Sequence, residues 1–357
     1  MVKIAVVLGA FSVGARPIDF TNLYDDPRGL TGTDLCFART CEELERLGHT
    51  VIRICGASSL PQIDETYDCV LSINEPNLLI GLPKKPYKIV WQMLNDFSFI
   101  KPGFDDFVDQ YFGVCPEHTA YVARQCPKPE KWSTLSLGCD PDLYSDKRVP
   151  GRVLWCSSAD RGLHWLLQEW KTIRAAVPNA SLRVAYHFSY DNIIDVEKDS
   201  VSPQGGPYHP HIQEMAQRVR YIREMMPRLP GVQHIGSISR NRMVQEFSEA
   251  SVFGFCADTV AFSEGFSVST LEAHASFTVP VVVGADCLSS IYRESGCVFI
   301  EPPARDHIAA YTESVIEALQ GKHDDRIPRC RAFAEERTWK KTIEKLEHIL
   351  RRKINEV

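Results

Sequence analysis

The stretch "VFGFCADTVAFSEGFSVSTLEAHASFTVPVVVG", Val252 to Gly284, decides the fold. Residues 252–256 are short and apolar, and so are residues 279–283; each has the length and composition of a strand buried on both faces. Between them, "VSTLEAHAS" is made of good helix formers behind the loop "SEGFS", and Ser267 or Ser269 is placed to cap it. Strand, loop, helix and strand within about thirty residues form a βαβ unit. Such a unit requires parallel strands with helices packed on the sheet.

The same alternation runs outward from this unit in both directions. Toward the start there are a strand over 4–8 leaving through a loop with Gly9 and Gly14, a helix over 34–47 that stops at Gly48, and a strand over 50–54. Strand-like runs follow at 69–73 and 88–92, then a helix around 117–125 and a short strand over 133–137. The polar, proline-bearing segment "GCDPDLYSDKRVPGR" interrupts, and the pattern restarts. It continues as a strand over 153–157, a helix over 164–176, a strand over 181–187, the loop "DSVSPQGGPYHPH", a helix over 211–226, and strands over 232–235 and 297–300. At 357 residues the chain exceeds what one core organises. The expectation is an α/β protein of two Rossmann-like, doubly wound parallel-sheet domains, residues 1–148 and 149–336, facing each other across a cleft. The end, "WKKTIEKLEHILRRKINEV", reads as an amphipathic helix with Ile343, Leu346, Ile349 and Leu350 on one side. Residues 337–357 are expected to pack back toward the first domain.

Composition narrows the function classes. A net charge of -6 gives no basic footprint for nucleic acid. No apolar run reaches the ~18 residues of a membrane span. The start, "MVKIAVVLGAFSVGARP", reads as a buried first strand rather than a secretory signal, because a basic region is nearly absent and Val and Ile dominate. None of the twelve cysteines forms a C-x-x-C pair, so they read as reduced core residues of a cytoplasmic protein. No Cys/His cluster suggests zinc.

Glu264 and Glu272 pose the functional question. A helix starting near Ser267 presents free N–H groups and a positive dipole end, an anion site suited to a diphosphate, and Gly265 lets a ligand approach the backbone. Glu272, between Leu271 and Ala273, carries a charge that is costly to bury unless it is paired. Ribose hydroxyls would satisfy it, and Glu264 would then face a sugar beyond the diphosphate. The competing reading pairs Glu272 with an arginine and leaves Glu264 solvated.

"EGFSVSTLEAHAS…VPVVVG" also resembles the E-x7-E signature of the retaining glycosyltransferases of family 4, which have the two-Rossmann GT-B fold. "TGTDLCFARTCEELERLGHTV", "LGCDPDLYS", "SSADRGLHWLLQEWKTIRAAVPNASLRV" and "GVQHIGSISRNRMVQEFSEASVF" are similar to four further family segments, in the family's order. The resemblance implies transfer of a sugar from a nucleoside-diphosphate sugar to an acceptor hydroxyl with retention, UDP being the commonest nucleotide in the family, and no resident cofactor or metal. It implies that Glu264, Gly265, Phe266 and Ser267 hold the donor sugar, Val268 and Ser269 the diphosphate, and Glu272 the ribose. Arg161 would steady the β-phosphate and leaving group, Gly236 and Ser237 would border the nucleobase, and Gly32 would approach the diphosphate from the first domain. A fixed guanidinium suits that task on physical grounds, since negative charge grows on the departing diphosphate.

Several positions depart from the family. Ser158 stands where a first basic residue is usual. The histidine found after the fourth strand falls in "WQMLNDFSF", where Asn95 or Asp96 is the substitute. His118 is nearest in sequence and reads as a surface residue at a helix start. Phe277 and Leu137 replace a glycine and an asparagine. Asp140 and Asp142, in "DPD", mimic a metal-binding D-x-D motif but read as turn acids before a boundary. The basic C-terminal helix reads as a solvated face or as a peripheral contact with anionic lipid at the inner membrane face. The acceptor is open, with loops 11–30 and 97–107 expected to shape its pocket. Two other functions fit the architecture: a nucleotide-sugar epimerase or phosphorylase, or a two-domain metabolite-binding protein without catalysis.

Overall fold

The computed structural model describes residues 1–10, 18–60, 63–95, 101–186 and 210–355. Asp96 and parts of the loops 11–30, 97–107 and 199–211 lie outside these residues. The chain divides into two compact units: Met1–Leu23, Leu30–Asp140 and Glu336–Val357 in the first, Tyr24–Gly29 and Pro141–Glu335 in the second. The division falls ahead of residue 148 because the linker joins the second unit: Lys147 N–H donates to Ser248 O (3.2 Å) and Val149 N–H to Glu249 O (2.8 Å).

The first unit holds a six-stranded sheet in the order β2-β1-β3-β4-β5-β6. Its strands are β1 Lys3–Gly9, β2 Thr50–Ala57, β3 Cys69–Ile73, β4 Tyr87–Trp91, β5 Gln110–Gly113 and β6 Trp132–Thr134, and every pairing is parallel. β3 is buried throughout, and Ala5, Val7, Val70, Val90 and Tyr111 share one core, which is why these strands read as apolar runs. β6 is shorter than the expected strand over 133–137, and its last tie to β5 is Leu135 N–H donating to Gly113 O (2.9 Å). The first helix spans Gly32–Arg46, two residues earlier than expected. Thr31 Oγ1 accepts from Asp34 N–H (3.2 Å) and the Asp34 carboxylate accepts from Thr31 N–H (2.9 Å), a capping box that puts Asp34 third in the helix.

The C-terminal helix, Trp339–Asn355, belongs to the first unit and lies on Gly32–Arg46. Trp339, Ile343, Leu346 and Leu350 are buried, so its apolar stripe is spent inside the unit, while Lys340, Lys345, Arg351 and Arg352 are exposed. Gly138 is required there: a Cβ would come within 2.4 Å of Trp339 N. Asp140 accepts from Arg39 Nη2 at 2.8 Å, an ordinary ion pair of the same unit.

The second unit holds another parallel six-stranded sheet, β12-β11-β10-β7-β8-β9. Its strands are β7 Arg152–Trp155, β8 Ser181–Val184, β9 Val232–His234, β10 Val252–Phe255, β11 Val279–Val283 and β12 Val298–Ile300. β8 and β9 build outward from one side of β7, and the chain then returns to lay β10 on the other side, with Val252 beside Val153 and Phe253 beside Leu154. That reversal is the topological switch point, where ligands bind in such sheets at the carboxyl ends of the strands. All twelve cysteines are free thiols, buried except for half-buried Cys55 and Cys156. Among the described residues no helix is long and apolar enough to cross a membrane.

Candidate functional site

Two loops leave the switch point side by side. After β7 the chain passes Ser158, makes a tight turn over Ala159–Arg161, and enters the helix Leu163–Ala176 through Gly162. Gly162 has φ +118°, and a Cβ there would lie 1.9 Å from Cys256 O, in the loop after β10. Arg161 O accepts from Asp258 N–H (2.9 Å) in that same loop. These contacts bring the Arg161 side chain beside the residues that follow β10.

The second loop leads into the helix Val268–Ala275. Its N-cap, Ser267, sits in the left-handed region (φ 63°, ψ 85°), a conformation disfavoured for a serine. Ser267 Oγ accepts from Thr270 N–H (3.3 Å) and meets Thr270 Oγ1 (2.8 Å), while Tyr292 O–H donates to Ser267 O (2.9 Å). Among the described residues, nothing accepts from the backbone N–H groups of Val268 and Ser269. They are the first two of the helix and stand at the positive end of its dipole.

Glu264 is 2% exposed, and its Oε1 accepts from Arg161 Nη1. The backbone around it is fixed: Ser263 and Glu264 N–H donate to Asp286 Oδ2 (2.8 and 2.9 Å), and Glu264 O accepts from Cys287 N–H (3.2 Å). Burial raises the Glu264 pKa above the usual carboxylate value, and the Arg161 guanidinium opposes that shift. The Arg161 side chain is 27% exposed, so its far side faces solvent. Gly265 is buried, and Phe266 packs edge-on to Tyr292 at 6.4 Å.

Glu272 carries the arginine partner that the sequence left open. Its Oε1 accepts from Arg240 Nη2 and from Tyr144 O–H (3.0 Å), and Arg240 Nη2 also donates to Tyr144 Oη (3.1 Å). Its charge is therefore compensated without a ribose. Ser158 is buried and its hydroxyl donates to Asp160 Oδ1, so this group is spent within its own loop. Gly236 (φ 69°) and exposed Ser237 follow β9, just ahead of Ser239, the N-cap of the helix Arg240–Glu249. A Cβ at Gly236 would meet nothing within 4 Å. Residues that follow β7, β9 and β10 thus gather at one edge of the second unit's sheet.

Gly32 and Asn95 belong to the first unit. Gly32 lies in the first turn of its helix. Asn95 ends a turn in which Met93 and Leu94 N–H donate to Asn74 Oδ1 (2.6 and 3.2 Å) and Gln92 Nε2 donates to Leu94 O (2.9 Å). Asn95 O accepts from Gln125 Nε2 (3.0 Å), and its buried Oδ1 has no partner among the described residues. His118 is not on the surface: it is fully buried, because the helix Pro116–Ala123 turns it inward toward the Leu94 backbone. Its Nδ1 accepts from Val114 N–H (3.3 Å), and burial lowers its pKa to about 4, so the ring is neutral at pH 7. Tyr144, Arg240 and Asp286 were not found from sequence. Tyr144 is 128 positions from Glu272, and no local periodicity marks that contact.

No family profile and no curated sequence matches the chain. Solved structures do. Anabaena HepE in complex with UDP-glucose is 13% identical with a TM-score of 0.67, covering 98% of this chain and 99% of its own. A glycosyltransferase involved in avilamycin A biosynthesis is 15% identical (TM-score 0.65), covering 100% of this chain and 99% of its own. Sucrose-phosphate synthase from Thermosynechococcus elongatus is 13% identical (TM-score 0.64) and covers both chains fully. The fold is therefore that of these glycosyltransferases, the GT-B class of two Rossmann-like domains.

Proposed function

We propose that the protein is a glycosyltransferase that moves a sugar from a nucleoside-diphosphate donor to an acceptor hydroxyl. One observation carries this reading: a buried carboxylate, Glu264, in the loop that leads into the helix amides of Val268 and Ser269, is paired to a partly exposed Arg161 at the switch point of the second unit's sheet. The amides and the guanidinium suit a diphosphate, whose negative charge grows as the sugar–phosphate bond breaks. Glu264, held from behind by Asp286, suits sugar hydroxyls as an acceptor. No step in this scheme calls for a metal, since Arg161 and the helix dipole supply the positive charge. The E-x7-E spacing supports membership of family 4 and, with it, retention at the anomeric carbon. UDP is the proposed nucleotide, in keeping with the UDP-glucose bound by the similar Anabaena structure.

Thermal unfolding with UDP, GDP, ADP and dTDP tests the reading. A nucleotide at about 100 times its Kd adds about 2.7 kcal/mol to the native state, and UDP is expected to raise Tm most. Equal, negligible shifts with all four would reject nucleotide-sugar transfer.

A further inference from the structure

A cavity of about 380 Å³ lies in the second unit, and none of its lining residues belongs to the donor site read above. Three helices supply its wall, each following a strand of the same sheet: Leu163–Ala176 after β7, Pro210–Met225 after β8 and Ala304–Leu319 after β12. His164 and Trp165 come from the first, Glu214, Gln217 and Arg218 from the second, and Arg305 from the third, while Asp258 comes from the loop after β10. The cavity adjoins the Arg161 turn, because Arg218 Nη1 donates to Asp160 O (3.2 Å) and Asp258 N–H donates to Arg161 O (2.9 Å).

The lining carries two guanidinium and two carboxylate groups, so its charges balance. They are also spent on one another. Arg218 Nη2 donates to Glu214 Oε1 (2.8 Å) and lies 3.2 Å from Asp258 Oδ2, which accepts from Trp165 Nε1 (2.7 Å). Arg305 lies 3.6 Å from Asp306. His164 is neutral at pH 7: burial lowers its pKa to about 4, and the Arg218 charge acts in the same direction. An ion in the cavity would meet no unpaired opposite charge to offset its lost hydration. Among the described residues no group of His, Cys, Asp and Glu side chains is placed to hold a metal.

A neutral, hydroxyl-rich ligand has no such cost. Trp165 is half-buried and fixed at its N–H, and an indole packs well against the carbon–hydrogen face of a sugar ring. The carboxylates accept from hydroxyls, and the Gln217 amide, which takes no part in the pairs above, both donates and accepts. The volume falls at the small end of ligand sites, enough for a single ring. We propose that this cavity is a second carbohydrate site, which binds one neutral hexose unit independently of any nucleoside diphosphate.

Saturation-transfer NMR of the full chain with glucose, galactose, mannose and N-acetylglucosamine tests it, each sugar alone and with UDP added. Wild type is expected to bind at least one of the four with a Kd of about 10 mM or tighter, and UDP leaves that signal in place. Trp165→Ala abolishes the signal. Gln217→Ala, a change at an exposed helix position that leaves folding intact, weakens binding about threefold to tenfold. No signal with any of the four sugars, displacement by UDP, or wild-type binding in Gln217→Ala overturns the proposal. A chain that binds UDP but no sugar loses this site and keeps the donor site; one that binds a sugar as described but no nucleotide does the reverse.

Discussion

Replacing Arg161 by alanine is expected to lower the rate of sugar transfer about 100- to 1000-fold while changing nucleotide affinity far less. The Arg161 side chain is partly exposed and its backbone is fixed, since Arg161 O is tied to Asp258 and Gly162 admits no side chain beside Cys256. A charge held in this way stabilises developing negative charge without reorganising during the reaction. The substitution has a second consequence. Glu264 is buried with a raised pKa, and Arg161 is the group that opposes the shift. Without it the carboxyl moves further toward its neutral form, so part of the loss comes through Glu264. Arg161→Ala and Glu264→Gln should accordingly combine to much less than the product of their separate effects, because the two residues act as one unit. Single-turnover measurement of donor consumption checks both points. An Arg161→Ala enzyme with wild-type turnover would remove the leaving-group role.

The largest effect on stability is expected at Arg240. Arg240→Ala leaves the Glu272 carboxylate buried without its charge partner, at a cost of about 3–5 kcal/mol. For a unit of this size each kcal/mol is worth about 2–4 °C, so Tm falls by about 6–20 °C. Replacing both partners by apolar residues, as in Arg240→Met with Glu272→Leu, should recover most of that loss, because an unpaired charge costs more than the pair contributes. Thermal unfolding followed by circular dichroism reads the difference. Equal Tm values for wild type and Arg240→Ala would show that the pair is energetically idle.

Much of this architecture is legible in the sequence because parallel strands buried on both faces leave short, mainly apolar runs, as at Cys69–Ile73 and Val279–Val283. Helix entries are less legible: Asp34 looks like a start, yet the capping box places Thr31 outside and Asp34 third. Site residues on one loop, such as Glu264 and Ser267, share a signature of spacing and composition. Partners brought together by the fold do not. The Arg161–Glu264 pair spans 103 positions and the Tyr144–Glu272 bond 128, and only the adjacency of β7 and β10 makes the first of these foreseeable. His118 misleads for a related reason: a histidine at a helix start is usually solvated, and its burial depends on packing against the turn at Leu94.

Everything functional here depends on where a nucleoside diphosphate binds, and a crystal structure of the protein with UDP measures that directly. The account predicts the diphosphate against the amides of Val268 and Ser269 with Arg161 in contact and the ribose at Glu272. A nucleotide bound with its phosphates away from that helix start, and with the Arg161–Glu264 pair untouched, would contradict it.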